Sequence, residues 1–198
     1  MPTSCSPPPI PAEPTIEAVT LRPAALADAE ALALVGAATV LEAFTWMLPG
    51  SDIVAFCAQH HTPEAYARYL AQPTTRITLA VTGADVPVGY AMLAAPDLPS
   101  IPTYPTDIEL KRIYLFSRFR SSSTPVTNAP GVKPAQALMD AAIANARALG
   151  GKRLLLGTNG NNDRAIAFYR RNGFTEAGTR SFRVGTQNCC DLLFVRDL

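Results

Sequence analysis

The stretch Asn162-Asp163-Arg164-Ala165-Ile166-Ala167-Phe168-Tyr169-Arg170-Arg171-Asn172-Gly173-Phe174 decides the fold. It reads as a helix over Asp163 to Arg171. Asn162 is of the type that caps a helix N-terminus, and Asn172-Gly173 ends the helix. Just upstream, Arg153 to Gly157 (RLLLG) carries a short apolar run, Leu154 to Leu156, as expected of a buried parallel strand. Before it, Pro134 to Leu149 places Leu138, Met139, Ala142, Ile143 and Ala146 on one helical face, and Gly150-Gly151 closes that helix. The second half therefore follows a βαβ pattern. Strands are expected at Phe174 to Ala177 and at Asp191 to Val195, with a third near Ser181 to Val184 left open.

The first half leads into this unit. Val19-Thr20-Leu21-Arg22 alternates as a first strand that Pro23 ends. Asp28 to Phe44 has helical spacing. Ser51 caps a short helix through Gln59, and Thr62-Pro63-Glu64 opens another helix that runs to about Ala71. Thr75 to Thr82 (TRITLAVT) and Pro87 to Ala94 (PVGYAMLA) form a hairpin around Gly83-Ala84-Asp85. Asp107 to Phe116 (DIELKRIYLF) is the next strand. Alternation along it puts Glu109, Lys111 and Ile113 on one face and Leu110, Arg112 and Tyr114 on the other.

Composition narrows the function. The 198 residues fit one ordinary domain, with 48% apolar and 17% charged residues, a globular balance. Basic and acidic residues number 17 and 16, so no excess of positive charge exists to neutralise a nucleic-acid backbone. No apolar run approaches a membrane span of ~20 residues, and no secretory signal is expected. Four irregularly placed cysteines argue against a disulfide framework and for a reducing cytoplasm. Residues 1–17, with six prolines among the first 14, read as a disordered tail or a Pro-rich ligand for a partner, ahead of a domain spanning residues 18–198.

The arrangement Asn162-x-x-Ala165-x-x-Phe168-Tyr169, followed by Gly173-Phe174, resembles the N-x-x-A-x-x-F-Y…G-F signature of the GNAT acetyltransferases. Leu110 to Phe119 resembles that family's fourth strand. Gln136-Ala137-Leu138-Met139 resembles the helix after its acetyl-CoA loop, and Leu21-Arg22-Pro23 with Leu26 to Glu30 its opening. Within the family, Leu110 to Leu115 and the ending Phe182-Arg183-Val184-Gly185…Asp191-Leu192-Leu193 are most similar to bacterial spermidine/spermine-type enzymes.

The resemblance implies an α/β GNAT fold. Its sheet is mixed, mostly antiparallel, twisted and splayed at its centre, with helices on both faces. It implies acetyl transfer from acetyl-CoA to a small primary amine such as a polyamine, with no metal, nucleic acid or membrane, and it leaves a homodimer open. Tyr169 would be the general acid for the departing thiolate. Glu109 is either the base that deprotonates the amine or a solvated strand charge. Ile113, Tyr114 and Leu115 would hold the pantetheine arm through backbone groups. Asn162 and Phe168 of the motif would meet CoA. Glu42 and Asp52 either greet a cationic amine or form a solvated face, and Phe44 and Trp46 form a substrate wall or simply core.

The phosphate loop departs from the family's Q/R-x-x-G-x-G/A pattern. Arg120 matches its first residue and Ala135 its last, ahead of Gln136, but they lie 15 positions apart instead of five. The insertion falls within Ser121 to Pro134 and has only Val126 and Val132 as large apolar residues, so it is expected to bury little and to be mobile. That leaves a second reading, a CoA-binding regulatory module of weak or absent activity. A third is a scaffold that recruits a partner through the tail. Cys57-x-x-His60-His61 has metal-like residues without a second pair at zinc spacing.

Overall fold

The computed structural model describes residues 17–120 and 123–198. The tail expected over residues 1–17 thus lies, but for Glu17, outside the described residues. One seven-stranded sheet runs in the order β1 (Thr20–Pro23), β2 (Arg76–Val81), β3 (Pro87–Ala94), β4 (Asp107–Leu115), β5 (Arg153–Asn159), β7 (Gln187–Asp197), β6 (Thr175–Val184). Every neighbouring pair is antiparallel except β4 and β5.

Helices cover both faces. On one face, α1 (Ala29–Phe44) and α3 (Pro63–Leu70) bury Leu32, Val35 and Tyr66 against Leu79, Tyr90 and Met92 of β2 and β3. Between them in the chain, α2 (Gly50–His60) packs Ile53 and Cys57 against Val40. On the other face, α4 (Pro134–Ala148) and α5 (Asp163–Arg171) bury Leu138, Met139, Ile166 and Tyr169 against Leu110, Leu154 and Phe194. This is the mixed α/β architecture with helices on both faces that the resemblance implied.

Local signals account for the boundaries. The Thr62 hydroxyl accepts the Ala65 N–H at 3.2 Å and Pro63 occupies the first turn of α3. The Asn162 side-chain oxygen Oδ1 accepts the Ala165 N–H at 3.1 Å, and Gly173, at φ 78°, closes α5. Two local expectations fail. Ser51 lies inside α2, whose cap is Pro49. The three short C-terminal strands are two long ones, paired from Thr175↔Val195 to Val184↔Gln187 around Gly185-Thr186.

A third correction bears on the site. Leu93 pairs with Leu110 but Met92 pairs with Arg112, so Lys111 is an extra residue in β4. This β-bulge reverses the alternation. Ile108, Leu110, Ile113 and Leu115 all pack on the α4 side. Tyr114 packs on the α1 side, so Glu109 shares a face with Arg112 and Tyr114, not with Ile113.

The long segment after β4 is pinned at Pro125 to Asn128, contrary to expectation, while Ser121 and Ser122 lie outside the described residues. Val126 is 2% exposed and bridges Val19, with Val19 N–H to Pro125 C=O at 2.9 Å and Thr127 N–H to Val19 C=O at 2.8 Å. The Asn128 amide donates to the Leu21 carbonyl (2.7 Å) and accepts its N–H (3.1 Å). A strand-like stretch thus adds to the β1 edge, and one valine with one asparagine supplies the anchorage that a count of apolar residues does not reveal.

Candidate active site

β4 and β5 pair only from Asp107↔Arg153 to Glu109↔Leu155. Beyond that point β4 keeps β3 as its sole strand partner and β5 keeps β7. The sheet therefore splays, and the inner edges of Arg112 to Leu115 and of Leu156 to Asn159 face a gap. Backbone groups on such edges can receive an extended ligand as an added strand. Gly89 permits the close approach of β3 behind this edge, since a Cβ there would lie 2.8 Å from Leu115 Cα. Of the three residues expected to hold an extended arm, Ile113 and Tyr114 keep β3 as their only partner. The Leu115 carbonyl is already taken by Arg120 Nε at 2.7 Å.

Tyr169 projects from α5 and is 8% exposed, its ring 5.9 Å from those of Phe168 and Phe174 and 6.1 Å from that of Phe194. Burial raises the phenol well above its ordinary value, and the nearby Tyr114 phenol raises it further. Burial likewise pushes Tyr114 up to about 12. Both phenols are therefore protonated donors at neutral pH. Glu109 is 3% exposed, which removes the reading of a solvated strand charge. Its Oε2 accepts the Asp97 N–H at 2.8 Å and Lys111 Nζ at 3.4 Å.

The remaining expected ligands fall into two groups. Asn162, Phe168 and Tyr169 come together on α5, where Asn162 serves as the cap. At the start of α4, Pro134 lacks an N–H, so the first turn offers the amides of Ala135 and Gln136. The Gln136 side chain is committed elsewhere, donating to Asp140 at 2.8 Å and Asn172 at 2.7 Å. Arg120 also pairs with Glu42 at 3.0 Å, while Glu42 accepts the Ser117 N–H and hydroxyl. Trp46 is no wall of the gap. It is 67% exposed, with its indole N–H on the Ala43 carbonyl at 2.7 Å. Phe44 packs beside Val40 and Ile53. His61 bonds Tyr66 at 2.9 Å, and burial drives it down to about 3, so it is neutral.

The sequence reading missed Asp191 and Arg180. Asp191 is 6% exposed on β7, opposite Asn159 at the end of β5. Arg180 donates to it at 3.1 Å; burial nevertheless raises the carboxyl above its ordinary value. Asp191 and Cys57 both act on the Tyr114 phenol. The β6–β7 turn reaches across to α2, with the Thr186 hydroxyl on Asp52 at 2.7 Å and the Phe182 ring 6.3 Å from Phe56. The one available signal was Asp191 itself, a lone charge leading an apolar run.

A gap in the sheet with two buried phenols is a general arrangement, and relatives narrow it. The Acetyltransferase (GNAT) family model matches residues 134–174, which contain α4, β5 and α5. Uncharacterized N-acetyltransferases of Mycobacterium tuberculosis and Mycobacterium bovis are 33% identical over 173 residues, covering 87% of this chain and 99% of theirs. Among solved structures, the PaiA N-acetyltransferase of Thermoplasma acidophilum, in complex with coenzyme A, superimposes with a TM-score of 0.69 at 14% identity. It covers 91% of this chain and 99% of that one. An acetyltransferase of the GNAT family from Staphylococcus aureus gives 0.65 at 17% identity, with the same coverage. These structures share the fold, and the mycobacterial relatives carry the family: the chain belongs to the GNAT N-acetyltransferases.

Proposed function

We propose that the protein transfers the acetyl group of acetyl-CoA to a primary amine of a small molecule. The observation that carries this reading is the parting of β4 and β5 after Glu109↔Leu155, with Tyr169 held protonated beside Tyr114. The gap suits the extended pantetheine arm. The amides at the start of α4, with Lys133 and Arg120, suit the pyrophosphate.

The chemistry balances simply. An ammonium first loses a proton, and Glu109, or Asp191 across the gap, takes it directly or through water. The nitrogen lone pair attacks the thioester carbonyl carbon, a C–N bond forms and the C–S bond breaks. The departing thiolate takes a proton from Tyr169, and the second proton that the new amide nitrogen sheds restores the Tyr169 phenol. The products are an acetamide, free CoA and one proton.

The polyamine expectation rests on the resemblance together with Glu109, Glu42 and Asp52, and all three carboxylates have partners: Glu42 binds Ser117 and Arg120, Asp52 binds Thr186, and Glu109 accepts from Asp97 and Lys111. A primary amine is therefore the level at which the acceptor is proposed here. The second reading, a CoA-binding regulatory module, draws on the commitment of Arg120 to Glu42 and Leu115. Cys57, Cys189 and Cys190 are free thiols, in keeping with a reducing cytoplasm.

Tyr169→Phe tests the assignment. Turnover of the amine should fall by ~10²–10⁴ with acetyl-CoA affinity nearly unchanged. Wild-type turnover in the variant across the pH range removes Tyr169 from the chemistry.

A further inference from the structure

Arg112 sits just past the β4 bulge, three residues beyond Glu109, on the face covered by α2 and α3. Its guanidinium lies 5.3 Å from the Tyr66 ring and 5.5 Å from the Tyr69 ring. Nη2 donates to the His60 carbonyl at 3.3 Å, and Nη1 is buried without a hydrogen-bond partner. Among the described residues no carboxylate lies within ion-pair distance of it. Taking a cation out of water without an anion is costly.

The surroundings add positive charge. Arg112, Arg68, His60, Gln59, Tyr69 and Gln72 line a cavity of about 310 Å³, a size for a small molecule. Lys111 lies near His60 and is held by Glu109 at 3.4 Å. Glu64, one helical turn from Arg68, is exposed and acts on it only through space. The cavity thus offers one half-buried guanidinium without a carboxylate partner among the described residues, a second arginine and amide donors. Its β4 wall is Arg112, three residues beyond Glu109, the last β4 residue paired with β5.

Resting on the acetyltransferase reading above, we propose that the acceptor amine also carries an acidic group, a carboxylate or a phosphate, and that Arg112 holds this group in the cavity between α2, α3 and β4. Arg112 is then a specificity residue. A guanidinium suits the planar carboxylate and the phosphate alike, and it discriminates against an acceptor whose only charges are positive.

The test uses the full chain, acetyl-CoA, and matched amines. One arm contains α- and ω-amino acids with their amides, another phosphoethanolamine with ethanolamine, and a third spermidine. Thiol release is expected to favour an acidic member over its neutral counterpart by at least ~10-fold in kcat/KM. The carboxylate and phosphate arms distinguish the two sources. Arg112→Gln should abolish that ratio chiefly through KM, and Arg112→Lys should restore part of it. Arg68→Gln, on an exposed helix face, should lessen the preference even if Arg112→Gln fails to fold. Preferred turnover of spermidine or of the neutral members overturns the proposal while leaving acetyl transfer intact. If no amine is turned over, the acetyltransferase reading fails, and calorimetric titration with the same amines judges the cavity. Heats for acidic members that vanish in Arg112→Gln uphold the anion site; equal or absent heats overturn it.

Discussion

Gly36, in the middle of α1, faces the side chains of His61 and Tyr66. A Cβ placed there would collide with His61 Nδ1 and Tyr66 Oη. Both neighbours are fixed. His61 is 6% exposed and Tyr66 fully buried, and a hydrogen-bonded chain runs from His61 to Tyr66 (2.9 Å) and on to Tyr90 (2.6 Å). Gly36→Ala therefore sets two effects against each other. Ala is favoured over Gly in a helix by ~1 kcal/mol. Overpacking a filled interior costs ~1–3 kcal/mol, and each hydrogen bond displaced costs ~1 kcal/mol more. The net expectation is a loss of ~2 kcal/mol, or a fall in Tm of ~4–8 °C for a domain of this size. Denaturant unfolding of wild type and variant measures it. Gly50→Ala is the control, because a Cβ at the start of α2 meets nothing within 4 Å and should be neutral or stabilising. Combining Gly36→Ala with His61→Ala should recover part of the loss, since the two sites share one volume. A Gly36→Ala protein as stable as wild type would refute the packing argument.

Further outcomes follow from other contacts. Burial holds the folded pKa of His61 at about 3, far below its unfolded value, so the unfolded chain binds more protons between the two. Its stabilising contribution is present above ~6.5 and is lost as pH falls toward the folded value, at up to ~1.4 kcal/mol per pH unit. His61→Gln should show a shallower decline in Tm below pH ~6.5, and an unchanged slope would contradict this. Asn128→Ala removes both bonds to Leu21. It should cost about 1 kcal/mol in urea unfolding and speed amide exchange at Thr127, whereas wild-type exchange there would show that Asn128 does not anchor the segment. Asp107, 5% exposed and gripped by Arg153 at 2.6 Å and 2.9 Å, has its pKa lowered by that bond. Its contribution is full above ~3.9 and lost as pH falls through the folded pKa, so Asp107→Asn should flatten the acid limb of the stability curve.

Legibility in the sequence tracks how local the determining contacts are. α5 was read to the residue because its cap, its helix and its closing glycine lie within a dozen positions. Tyr169 and Asn162 came with it. β6 was fragmented because it is an edge strand, mostly exposed, with a register shift between Glu176 and Gly178 that erases alternation. The β4 bulge left no mark in composition, yet it decides that Glu109, Arg112 and Tyr114 share a face. Asp191, Arg180 and Arg112 escaped notice as site residues, and Cys57 stood out only in its metal-like spacing with His60 and His61, for a related reason. Pairing and packing between segments far apart in the chain bring them to the gap, and no short spacing encodes that meeting.

The most direct measurement of the central claim is amine-dependent release of CoA from acetyl-CoA, with the acetylated amine identified by mass spectrometry. The full chain is assayed against amino acids, phosphoethanolamine, simple amines and polyamines. The account predicts release that requires both protein and amine, one acetamide per CoA freed, and its near loss in Tyr169→Phe. Acetyl-CoA that binds but is never consumed, whatever amine is present, would contradict acetyl transfer and leave a CoA-binding module in its place.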